Sequence, residues 1–250
     1  MLKAGMSIID ITPEKGVQLG GYPHCPRPNE GVHDRLYASC MFLDNGTDRV
    51  AIVAMDIFFF TKRLCTEIRS KFDFDISFTA SHTHSAPNTG LVHDFEKNEG
   101  VFVDEAFVSD LVAKVEKIIK EAHDNTFDAE FGSYVGHGGA EQGVGGNRRE
   151  KGGVCDPSVN ILAVRDSDKK IRGILLNYAL HPTYLHADNV LVSADYPGGV
   201  RNYIHFAFPD AIFMFAQGTI GNQSSRYHRL GQTFEEACRV GTTLGVEIFH

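Results

Sequence analysis

Two histidines stand two residues apart in Phe78-Thr79-Ala80-Ser81-His82-Thr83-His84-Ser85-Ala86-Pro87, where an extended run gives way to small polar residues. At a strand end both side chains face one side, and neutral imidazole is the commonest protein metal ligand. A metal site needs three or four ligands, so the pair alone also fits hydrogen-bonded structural histidines. A second apolar run, Leu175-Leu176-Asn177-Tyr178-Ala179-Leu180, ends on His181-Pro182, with His186 and Asp188 close behind. Sites collect at strand ends. Two strands that both terminate in histidine could lie side by side and bring His82 and His181 together; the bland alternative is a His-Pro turn.

Three further groups carry weight. Gly143-Val144-Gly145-Gly146-Asn147-Arg148-Arg149-Glu150 combines glycines that permit close backbone approach with arginines suited to an oxyanion, carboxylate or phosphate. It matches neither common phosphate-loop pattern, and a basic surface loop is the alternative. Ala216-Gln217-Gly218-Thr219-Ile220-Gly221-Asn222-Gln223-Ser224-Ser225 opens from a buried strand into small polar residues that line a pocket or merely turn. Asp56 closes the apolar run Val53-Ala54-Met55, a position from which a carboxylate orients a ligand imidazole or simply satisfies structure. His33-Asp34 carries less weight. No Gly-x-Ser-x-Gly elbow surrounds Ser224, which weakens a serine-hydrolase reading.

These residues need a scaffold of strands and helices. Strand-like runs cover residues 35–43, 49–58, 75–80, 127–135, 159–164, 171–180 and 211–215. Helical periodicity is clearest at 101–123, repeats at 234–248 and is weaker at 61–72. Asp44-Asn45-Gly46 looks like a hairpin between two of the strands, since Asn-Gly supplies the positive φ that a tight primed turn requires. The expectation is an α/β fold of mixed β-sheets flanked by helices in a layered sandwich, one domain over 1–250, without repeats. Its 250 residues, 42% hydrophobic and 22% charged, suffice for a large core. The formal charge of −8 argues against a sequence-independent nucleic-acid binder. Five scattered cysteines without Cys-x-x-Cys spacing read as reduced thiols. No apolar window reaches about 18 residues and no leader pattern opens the chain, so a cytoplasmic protein without a transmembrane segment is expected, an upstream leader aside.

Taken in order, the pieces resemble the N-terminal catalytic domain of the neutral/alkaline non-lysosomal ceramidases. The resemblance runs from Asp10-Ile11-Thr12-Pro13 and Gly20-Gly21-Tyr22 through Gly31-Val32-His33-Asp34-Arg35-Leu36-Tyr37-Ala38 and Asp56. It continues through Ser81-His82-Thr83-His84-Ser85-Ala86-Pro87, Asn147-Arg148, Asn177 to Thr183, Ser193-Ala194-Asp195-Tyr196-Pro197-Gly198 and Gln217 to Ser224. The resemblance implies zinc on His82 and His181, His84 as a pocket neighbour, Arg148 on the reacting carbonyl or its oxyanion, and Ser224 with Asn222 at the substrate. Asn222 replaces an acid of the family's loop. Asp56 and Asp195 are expected behind the metal ligands.

The implied activity is zinc-dependent hydrolysis of an N-acyl amide, ceramide or a ceramide-like lipid of sphingolipid metabolism. Zinc lowers the pKa of its water to roughly 7 and polarises the carbonyl, Arg148 stabilises the oxyanion and His84 moves the proton. The family completes its zinc site with a glutamate and a tyrosine from a segment that would follow His250. The sequence therefore reads as truncated, as completed locally by His84, Asp195 or His33, or as an inactive relative; survival of His82, Arg148 and His181 favours the first two. A non-catalytic small-molecule or anion-binding domain is the rival from a different class.

Overall fold

A computed structural model describes residues 2–90, 93–94, 99–100 and 103–249, and has a mixed α/β architecture. It divides into two compact units, Met1–Ala129 with Ala187–Ala194, and Glu130–His186 with Asp195–His250.

The first unit is built from β1 (Lys3–Asp10), β2 (Tyr37–Asp44), β3 (Arg49–Met55), α1 (Lys62–Arg69), β4 (Asp75–Ala80), α2 (Glu105–Asp124) and the start of β5 (Phe127–His137). Its strand order is β5-β1-β2-β3-β4. The β1–β2 and β2–β3 pairs are antiparallel, whereas β3 and β4 run parallel with α1 between them in sequence. The expected β2–β3 hairpin forms, but it closes through the four-residue loop Asn45-Gly46-Thr47-Asp48 between the partners Asp44 and Arg49 rather than through a tight primed turn, with Gly46 but not Asn45 at positive φ. The longest helix buries Phe107, Val108, Leu111, Val115, Ile118, Ile119 and Ala122, the stripe its periodicity predicts. Asp104 caps it by accepting from the Phe107 N–H at 2.9 Å. The expected helix start at Val101 lies outside the described residues. Close approach of α2 to β1 requires glycine at position 5, where a Cβ would strike the Ala122 carbonyl.

The second unit contains the rest of β5, then β6 (Ser158–Asp166), β7 (Ile171–Tyr178), α3 (Tyr196–Ala207), β8 (Ile212–Gln217) and α4 (Phe234–Val246). Its strand order is β8-β7-β6-β5, with β6–β7 antiparallel and β7–β8 parallel. Helix α3 follows Asp195 and carries proline in its first turn, where a missing N–H costs nothing. It packs on α4 at Gly199 and Gly241, where a side chain on Gly241 would collide with the α3 backbone and one on Gly199 would press tightly on α4. Among the described residues no helix is long and apolar enough to cross a membrane.

Two of the longer elements escape the sequence reading. Strand β1 hides in the opening Lys3–Asp10 segment, and α3 hides because Pro197, Gly198 and Gly199 lower its helical signal. The glycine-rich segment begins later than its composition suggests, since β5 continues through Gly136 to His137.

Candidate functional site

In the first unit the carboxyl ends of the parallel strands β3 and β4 carry the candidate chemistry. Strand β4 stops at Ala80, so the two histidines lie beyond it rather than on it. His82 takes φ 67°, one of three positive φ values at described non-glycine residues, and strain of this kind gathers at functional positions. The turn sets the rings of His82 and His84 edge to face, 5.2 Å between centroids. The pair is thus a product of a strained turn and not of strand alternation.

Aromatic packing fixes both rings. Phe58 stacks on His82 at 4.4 Å and presents its edge to His84 at 4.9 Å, while Tyr22 meets His84 at 4.9 Å. The Nδ1 of His82 lies 2.8 Å from the Phe58 carbonyl. A carbonyl only accepts, so Nδ1 carries the proton and Nε2 carries the lone pair in the neutral ring. Arg27, buried and stripped of water so that its guanidinium pKa is pushed down, donates to the carbonyls of Gly20, His84 and Asn189. It lies over the Tyr22 ring at 4.7 Å and ties down the turn that carries His84.

Asp56 is buried one residue after β3, and its carboxylate accepts from the Tyr37 N–H at 2.9 Å. Asp34 holds Ser193 and Ala194 through its two carboxylate oxygens, at 2.6 Å each, and His33 leans on the same carboxylate at 2.7 Å. His33 is exposed and lines an open groove of about 580 Å³ with Asp10, Arg35 and Lys114.

In the second unit the carboxyl ends of β7 and β8 play the corresponding part. His181 is buried three residues beyond β7, and its Nδ1 lies 3.0 Å from the Ile220 carbonyl. The same logic protonates Nδ1 and puts the lone pair on Nε2. Gln223 and Ser224 pair antiparallel with Asn147 and Gly146, which joins the two polar loops. Arg148, Asn222 and Ser224 therefore come together: the Arg148 N–H donates to the Asn222 carbonyl at 2.7 Å and its Nε to the Gly221 carbonyl at 3.0 Å. Ser224 is buried, and its hydroxyl accepts from the Arg226 N–H at 3.2 Å.

Buried tyrosines hold this loop. Tyr178 donates to the Gly138 carbonyl and Tyr184 to the Val144 carbonyl, and burial pushes both phenols up so that they remain neutral donors. Arg239, paired with Glu236, donates to the Gly143 carbonyl at 2.7 Å. Asp195 sits at φ 59° and caps α3, accepting from the N–H groups of Tyr196 at 2.7 Å and Leu185 at 3.1 Å.

His82 and His181 therefore share a donor arrangement suited to a metal. Each spends Nδ1–H on a backbone carbonyl, the usual way a ligand imidazole has its tautomer and orientation fixed. Sequence reasoning misses Phe58, Tyr22, Arg27 and Arg226. The available signal for Phe58 is the run Phe58-Phe59-Phe60 after Asp56-Ile57, and for Tyr22 its place after Gly20-Gly21; Arg27 and Arg226 carry none beyond residue type.

No family model matches the sequence. Among solved structures, the fold matches the neutral ceramidase from Pseudomonas aeruginosa with a TM-score of 0.82 at 19% identity, over 99% of this chain and 44% of that one. A ceramidase complexed with C2 gives a TM-score of 0.81, also at 19% identity, over 99% of this chain and 43% of the other. The chain thus spans less than half the length of these structures and has a ceramidase-type fold throughout.

Proposed function

We propose that this chain is a zinc-dependent hydrolase of N-acyl amides, ceramide or a ceramide-like lipid, with His82 and His181 as zinc ligands and His84 as the proton carrier. The observation that carries the reading is the shared state of His82 and His181, each protonated on Nδ1 by its backbone acceptor. Such an Nε2 suits zinc, which binds imidazole readily and takes three protein ligands with an open position in catalytic sites. The ceramidase-type fold and the motif order supply the reaction class.

Zinc would supply a water nucleophile near neutral pH and polarise the scissile carbonyl. His82 and His181 hold it. His84, fixed beside His82 by Phe58 and Tyr22, moves the proton from the attacking water to the leaving amine. Arg148 stabilises charge on the carbonyl oxygen, and its backbone and Nε bonds to the 221–222 turn fix its direction beforehand. Ser224 and Asn222 contact the substrate beside it. Asp195 acts behind the site by holding Leu185 and the start of α3, and Asp56 by joining the end of β3 to Tyr37.

The test is hydrolysis of a fluorogenic N-acyl amide, abolished by chelation and restored by zinc. The His84→Asn variant is expected to lose about a hundredfold in turnover with its zinc intact. Loss of zinc in that variant would move His84 from proton carrier to ligand, and hydrolysis that survives complete zinc removal would end the reading.

A further inference from the structure

Several arginines meet a carboxylate: Arg35 meets Asp10, Arg49 Asp73, Arg165 Glu130, Arg172 Asp166 and Arg239 Glu236. Arg148, Arg149 and Arg226 differ. Among the described residues none of the three makes an ion pair, although the chain as a whole carries eight net negative charges. The Gly146–Asn147 and Gln223–Ser224 pairing brings their two segments together, and Arg226 Nη1 donates to the Arg148 carbonyl at 3.3 Å. Asn147 fixes the turn by accepting from the N–H groups of Arg149 and Glu150 at 2.8 and 3.0 Å. The acceptors that the Arg148 and Arg226 guanidinium groups reach are neutral carbonyls.

Gathering three like charges without a counter-charge is unfavourable. The cost registers on Arg148, whose pKa is pushed down by partial burial first and by Arg149 and Arg226 next. Arg148 gives its Nε to Gly221, which leaves the terminal nitrogens as the part of the fork suited to an oxyanion. Glu150, next in sequence, is exposed and turns no oxygen to the cluster within ion-pair distance.

We propose that Arg149 and Arg226 extend the Arg148 position into a subsite for an acidic substrate group, a carboxylate or a phosphate ester, so that the chain selects acidic N-acyl amides over neutral ones. The inference rests on the hydrolase reading for the word substrate, but the anion subsite stands on the second unit alone. Arg149 and Arg226 are specificity-determining residues here, and the carbonyl oxygen remains with Arg148.

Three probes with one acyl chain test it: N-dodecanoylethanolamine, its O-phosphate, and N-dodecanoylglycine. Binding to the full chain is measured by calorimetry, in parallel with hydrolysis, for wild type and for the Arg149→Gln/Arg226→Gln double variant. The expected result is that at least one acidic probe binds wild type about tenfold or more tightly than the neutral probe, more weakly as salt rises. In the double variant that advantage disappears while neutral-probe binding is unchanged; the tighter acidic probe identifies carboxylate or phosphate as the group selected. Equal binding of all three probes to wild type, or an acidic preference that survives in the double variant, overturns the proposal. Acidic preference without hydrolysis of any probe would keep the subsite and condemn the hydrolase reading; hydrolysis without preference would do the reverse.

Discussion

Two-residue strands apart, the two units follow the same sequence of elements. Each runs three strands, a helix, a strand parallel to the third, and a second helix: β1-β2-β3-α1-β4-α2 in the first and β5-β6-β7-α3-β8-α4 in the second. The strands neighbour one another in the same order, β1-β2-β3-β4 and β5-β6-β7-β8. In each, candidate residues collect beyond the carboxyl ends of the parallel pair, where open α/β sheets place ligands. The chemistry is distributed differently. The first unit puts its histidines after the fourth strand and gives Asp56 to the third; the second puts His181 after the third strand and gives the fourth to Gly218 through Ser224. The means of support differ as well, since His82 and His84 are held by aromatic rings and a strained turn, whereas the His181 loops are held by backbone carbonyls, buried tyrosines and an arginine. Both units fix the same imidazole tautomer with a backbone carbonyl, Phe58 for His82 and Ile220 for His181, and differ in what holds the loop around it.

The comparison breaks most visibly at glycines. Gly21 sits at φ 89°, and a Cβ there would fall inside contact distance of the His84 ring. Gly21→Ala is expected to lose stability by about 2 kcal/mol, through the backbone conformation and the displaced ring. It should also remove most turnover with zinc retained, read by urea unfolding and metal analysis. Wild-type turnover in that variant would show that ring packing does not position His84.

A smaller effect belongs to the second unit. Asp195 combines a positive φ with two accepted N–H bonds. Asp195→Ala loses both the cap and the left-handed tolerance and should cost about 2 kcal/mol, whereas Asp195→Gly keeps the conformation and should cost less. Equal unfolding midpoints for the two variants would deny that strain is stored there.

The smallest effect sharpens the contrast away from the site. Lys169 first, then Arg165, holds the exposed Glu130 carboxyl below its ordinary range. A depressed folded-state pKa contributes stability above the unfolded value and loses it as pH falls through the folded one. Glu130→Gln should therefore lower the urea midpoint slightly near neutral pH and converge with wild type below about pH 4. A constant difference across that range would mean that the ion pairs contribute nothing.

Much of this scaffold is legible in residue order. The run Asp75 to Ala80 is strand β4 to the residue, and the apolar stripe of α2 is the one buried, because long periodic patterns reflect the burial that makes them. Helix α3 is illegible because its Gly199 serves a close helix contact that intrinsic propensity counts against it. The same holds at the site. His82, His84, His181 and Arg148 stand out by type and spacing, but the acceptors that fix His82 and His181 are the carbonyls of Phe58 and Ile220, and a carbonyl leaves no mark in residue identity. The unit structure is equally hidden, since its likeness lies in the order and pairing of strands rather than in repeated residues.

The most direct test of the central claim is zinc per chain in the purified, unchelated protein, compared with His82→Asn, which tolerates the positive φ, and His181→Ala. The account predicts about one zinc per wild-type chain and loss of tight binding in each variant while circular dichroism stays native. A metal-free wild type, or a variant that keeps its zinc, would contradict it.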